Sequence, residues 1–140
     1  MENRCGSFWD SRHDNSTNSI APAATFYPLK MIAQTVAEIE ARLRQSEALD
    51  AKTRADLLQL LNTLRHEVSS LAEAQAERAE SIAGFARLST HEATRKSKDP
   101  RLFRHALDGF GASVIDLESS HPKLVEIVNR ICVTLANLGI

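Results

Sequence analysis

The chain has 140 residues, 43% of them hydrophobic and 25% charged, and carries a formal net charge of −1. That length suits one domain with a core large enough to need neither metal nor disulfide, and the balanced charge excludes a global field drawing the chain onto nucleic acid or an anionic membrane. Five glycines and four prolines leave few places to turn, so long helices are expected.

Residues 1–27 have no apolar period: Asn15, Ser16, Thr17, Asn18 and Ser19 cluster, Pro22 interrupts, and Pro28 closes the stretch. The segment reads as a disordered tail or an added extension, with Met31 suited to be a natural start. A competing reading takes Phe8, Trp9, Phe26 and Tyr27 as a short recognition element. The segment has the polarity of neither a secretory signal nor a membrane anchor, and no run reaches the ~18 apolar residues of a span. A cytoplasmic protein is expected. Cys5 in the tail and Cys132 in an apolar helix do not form a disulfide framework, and Cys132 is expected to be buried and inert.

From residue 28 onward the chain is expected to be one helical domain. Four stretches carry apolar residues at alternating spacings of four and three, which keeps each set on one side of a helix. The first, Leu29-Ile32-Val36-Ile39-Leu43, predicts a helix from Pro28 to about Ser46, with Glu38, Glu40, Arg42 and Arg44 in solvent. A short connection leads to Asp50, an N-cap for the second helix, and sets the two antiparallel.

The second stretch, Leu57-Leu61-Leu64-Val68-Leu71, lapses at Gln75 and Arg78 before apolar residues return at Ile82 and Phe85. The intervening Ala72–Glu80 is rich in strong helix formers, so one rod is predicted from Ala51 to about Leu88, with a kink or fresh start near the capping box Ser89-Thr90-His91-Glu92. Such a rod would overhang its first partner. Gln75, Arg78, Ile82, Phe85 and Leu88 are the candidate interaction surface, exposed unless a partner covers them.

Asp99-Pro100 restarts a helix, with Asp as the cap and Pro in the first turn. Its seam, Phe103-Leu107-Phe110-Val114-Leu117, predicts a helix to about Ser119, in which Gly109 and Gly111 mark close packing. After His121-Pro122 the last helix carries Leu124-Val128-Ile131-Leu135-Leu138, is the most apolar of the four, and should sit centrally or in an oligomer interface.

Chemistry-bearing patterns are sparse. His13, His66, His91, His105 and His121 show no metal-ligand spacing, the glycines form no phosphate loop, and no nucleophile elbow occurs. No catalytic residue, metal, cofactor or small-molecule substrate is inferred. Arg95, Lys96, Lys98, Arg101 and Arg104 gather at one junction and are candidates for weak phosphate contact, but no reading helix or stacking aromatic accompanies them.

The closing His121-Pro122-Lys123-Leu124 and Asn137-Leu138-Gly139-Ile140 resemble the ending of a family of short bacterial helical proteins of unknown function. Ile39-Glu40-Ala41-Arg42-Leu43 and Glu47-Ala48-Leu49-Asp50 are similar to that family's opening. The resemblance implies a small cytoplasmic helical protein and assigns no activity.

The sequence therefore predicts an all-α protein, with two antiparallel hairpins, 28–71 and 100–138, joined by a long second helix in coiled-coil-like packing. The function expected is a non-catalytic interaction or scaffold protein that binds itself as a homodimer or takes a partner helix. The alternative is a nucleic-acid-associated regulator using the basic junction.

Overall fold

The computed structural model describes residues 29–138, so the expectations for the amino-terminal segment lie outside the described residues. Five α-helices carry the fold: α1 (29–45), α2 (Ala51–Ala72), α3 (Ala76–Thr94), α4 (Pro100–Ala112) and α5 (Pro122–Ala136), with a 3-10 turn at Ile115–Leu117. No strand occurs among the described residues. α3 packs against α2, α4 and α5, and α5 closes the bundle against α2. One continuous core draws on all five helices.

α1 buries Ile32, Val36, Ile39 and Leu43, the face its spacing predicts. Its carboxyl end is finished from outside the helix. Arg54, in the first turns of α2, donates from Nε to the Leu43 carbonyl at 3.0 Å and from Nη2 to those of Ser46 and Leu49 at 2.6 and 3.1 Å. These carbonyls would otherwise face the α1–α2 turn without donors. Asp50 caps α2 by accepting from the Thr53 N–H at 2.7 Å, which holds its carboxyl below the ordinary range.

The single rod predicted from Ala51 to Leu88 does not form. α2 stops at Ala72, Gln75 N donates back to the Leu71 carbonyl at 2.8 Å, and the backbone at Gln75 leaves the helical region before α3 begins. The break falls where the apolar seam lapses. Continuing the rod would carry Ala79, Ile82, Ala83 and Ala86 past the end of the bundle; turning there buries all four. The intrinsic helix preference of Ala, Glu and Gln differs from that of other residues by only tenths of a kcal/mol, whereas burying one large aliphatic side chain is worth about 1.5–3 kcal/mol. Burial wins, and the arrangement of two hairpins joined by a rod gives way to a folded-back bundle.

α4 starts as predicted, with the Asp99 carboxylate accepting from the N–H groups of Arg101 and Leu102 and Pro100 in the first turn. It ends at Ala112 rather than near Ser119. The Ser113 N–H and hydroxyl return to the Gly109 and Phe110 carbonyls, and the chain tightens into the 3-10 turn. Val114 and Leu117 stay buried because a spacing of three suits either helix type, while Ile115 is turned to solvent.

Two of the helical glycines have opposite surroundings. A Cβ on Gly109 would run into the Phe85 ring, so that ring seats against α4 only because no side chain is there; a Cβ on Gly84 would meet nothing within 4 Å. Gly84→Ala should therefore raise the melting temperature, by the equivalent of roughly 0.5–1 kcal/mol. Gly109→Ala should lower it, because displacing the Phe85 ring costs about 1–3 kcal/mol and outweighs the same helix gain. Thermal melts of the pair check the contact, and equal shifts would count against it.

Candidate functional site

The structure divides the predicted interaction residues, setting Gln75 beside Arg78 and Arg78 beside Phe85, with Ile82 and Leu88 apart from them. Ile82 is 0% exposed inside the core and offers no surface. Arg78 is engaged: its Nη1 and Nη2 fork the Asp116 carboxylate at 2.5 and 3.0 Å, raising the Arg78 pKa and lowering that of Asp116. Phe85 lies half-buried over Gly109. Arg78 and Phe85 border a shallow groove between α3 and α4 together with Ile115 and Asp116. Gln75 sits in the α2–α3 turn. Leu88, 44% exposed, faces a different cleft beside Glu38 and Arg42 of α1. The seam lapse marks a turn, and no common surface unites the five.

The basic junction is partly consumed by the fold. Arg95 Nη1 pairs with the buried Glu92 carboxylate at 2.7 Å, and Lys98 Nζ donates to the Ala93 carbonyl at 2.5 Å. Lys98 thereby completes the carboxyl end of α3, where unpaired carbonyls concentrate negative charge, and Arg95 neutralises the Glu92 carboxylate beside it. Lys96, Arg101 and Arg104 remain exposed. One contributor was missed by the sequence reading. Arg42, assigned there to the solvated face of α1, is half-buried, donates from Nε to Thr94 Oγ1 at 2.8 Å, and lines a polar cleft with Arg95, Lys96 and Lys98. Its register one residue before the buried Leu43 was the only hint.

A further surface lies on α5. Leu124, Ile127, Val128, Ile131 and Leu135 face the core. On the opposite side Pro122, Glu126, Asn129, Arg130 and Val133 are exposed, with Val125 half-buried at their edge, and they line one shallow depression. Val133 is 61% exposed, a large apolar side chain set among polar ones. Cys132 lies between the two faces, with Sγ 4.0 Å from the Leu107 carbonyl, and burial pushes its thiol up to about 11. At neutral pH it is protonated and a poor nucleophile.

Among the described residues no group of three His, Cys, Asp or Glu side chains is placed to hold a metal, and no helix is long and apolar enough to cross a membrane. The chain is thus an all-helical bundle whose distinctive surfaces are a cation-trimmed helix end and an outward α5 face. It belongs to the family described as Domain of unknown function (DUF4404), which matches residues 59–140, from the middle of α2 through α5 to the end of the sequence. No curated protein and no solved structure matches the chain.

Proposed function

We propose that this protein is a non-catalytic helical interaction module that associates with itself and acts in the cytoplasm. The observation that carries the reading is the outer face of α5, where Val133 and the edge of Val125 stay accessible although the other side of the same helix is packed in the core. An exposed valine costs little alone, but a stripe of alternating apolar and polar residues along a rigid helix is the kind of surface a second helix covers. A free Cys132 held as a thiol suits a reducing compartment.

The test is solution mass as a function of concentration. Light scattering should give the 15.5 kDa of one chain when dilute and climb toward twice that value as concentration rises. A mass fixed at one chain throughout would defeat self-association.

Phosphate binding at the junction has weaker support, since Arg95 and Lys98 are already occupied within the chain. Three exposed cations should give at most a shallow, salt-sensitive attraction. Fluorescence anisotropy with a labelled duplex at low salt should show no saturable binding, and a saturating isotherm would favour the regulator reading instead.

A further inference from the structure

We propose that two copies pair through antiparallel α5 helices, related by a two-fold axis passing beside Asn129. This rests on the self-association reading and specifies its contact. At about 100° per residue, Pro122, Asn129 and Val133 fall on one line of the helix, with Val125 on one flank and Glu126 and Arg130 together on the other. That line is opposite the core residues Leu124, Ile127, Val128, Ile131 and Leu135, which fixes the orientation of the face from the observed burial.

The face is self-complementary. In a two-fold contact a residue lying n positions before the axis meets one lying n positions after it on the other copy. Val125 and Val133 stand four before and four after Asn129, so each valine comes level with the partner's other valine, Val125 from the flank and Val133 from the central line. Asn129 meets its own equivalent, and its amide carries both donor and acceptor, so two copies can satisfy each other. A polar Asn at the centre of a contact, between two valines, also fixes register.

Charge adds a second match. The two-fold axis keeps each flank on its own side, so Glu126 lies beside the partner's Arg130, and Arg130 beside the partner's Glu126. The offset along the axis is two residues, about 3 Å, well within the reach of an arginine. Although Glu126 and Arg130 are four residues apart on one helix, they form no ion pair with each other or with other described residues. Both remain exposed for the opposing copy.

The contact is small. One 15-residue helix against its equivalent falls in the class below about 1,200 Å² of total buried surface, so a weak dimer with a dissociation constant of roughly 10–100 µM is expected.

The experiment is sedimentation of the full chain from about 1 µM to about 500 µM, with variants on this face. Val133→Asp should weaken dimerisation at least tenfold without changing the thermal melt. Glu126→Arg or Arg130→Glu alone should weaken it, and the double reversal should restore it, because the charge pattern is again self-complementary. In a Cys5→Ser background, Asn129→Cys should cross-link to a covalent dimer with a short bis-maleimide, while its parent, holding only the shielded Cys132, should not. A dimer that ignores Val133→Asp and the charge reversals and fails to cross-link at 129 overturns this pairing but leaves self-association standing. A chain monomeric at every concentration overturns both. If dimerisation emerges only after residues 1–28 are removed, the face is occupied in the full chain by its own amino-terminal segment, and the pairing is overturned for that chain.

Discussion

Val128→Asp should abolish cooperative unfolding. Val128 is 0% exposed in the middle of α5, the helix that closes the bundle against α2. A carboxylate there has two options. It can stay charged without a partner in an apolar core, or it can take up a proton and still leave a buried hydroxyl and carbonyl unsatisfied. Either way the substitution also removes the valine methyls from a close-packed site. Substitutions of this kind sit in the range above about 4–5 kcal/mol, which is most of the stability of a marginal domain. Circular dichroism should show reduced helicity and a broad, sloping melt. Val133→Asp, five residues along the same helix but exposed, is the matched control: valine and aspartate have nearly equal helix propensity, so it should melt like the parent. If both variants unfold, burial is not what decides the outcome; if neither does, the core assignment of Val128 is wrong.

That pair also shows why α5 could be read from sequence. Leu124, Val128, Ile131 and Leu135 repeat at four, three and four, and all are buried. The same holds for α1 and α2, and for Phe103 and Phe110 of α4, because large aliphatic and aromatic residues report which side of a helix faces inward. α3 was harder. Half of its buried residues are Ala79, Ala83, Ala86 and Ala93, with the polar Ser89, Thr90 and Glu92 among the rest, and alanine adds little to an apolar pattern while being the best helix former. The turn at Glu73–Gln75 carries no glycine, no proline and no side-chain cap, so no local signal ends α2. Only the absence of a seam at Gln75 and Arg78 pointed there, and an absence does not distinguish a bare rod from a reversal. The reversal is decided by what lies far along the chain, namely α4 and α5 waiting to cover α3.

The functional surfaces were legible to different degrees. The cluster of basic residues is plain in the sequence, but its partial use as helix-end donors is not, because the carbonyl of Ala93 and the carboxylate of Glu92 become partners only once α3 ends at Thr94. The outward face of α5 is legible in the sequence only in outline. Its apolar excess was visible, but which residues of that excess remain outside depends on the side that α2 takes up.

Arg54→Ala should cost about 2–4 kcal/mol and should do so unevenly. The three carbonyls that Arg54 holds belong to the end of α1 and the turn after it, and losing one guanidinium strands all of them in a partly buried turn. Hydrogen bonds from a charged donor contribute roughly 1.5–3 kcal/mol each, but water can reach part of this site, so the total is less than the sum. Lysine should not rescue fully: the three bonds use Nε and Nη2 of a rigid planar group, and a single ammonium cannot place donors at both positions. Since among the described residues α1 is otherwise held by one apolar face and the Arg42–Thr94 bond, the loss should loosen α1 before the rest. Hydrogen exchange is the measurement that separates this from general destabilisation. Amides of residues 32–45 should exchange faster in Arg54→Ala, while those at the centres of α2 and α5 slow or quicken only with global stability. Uniform acceleration across all helices would mean that α1 and the remainder unfold as one unit, and that the clamp supports the whole bundle rather than the attachment of its first helix.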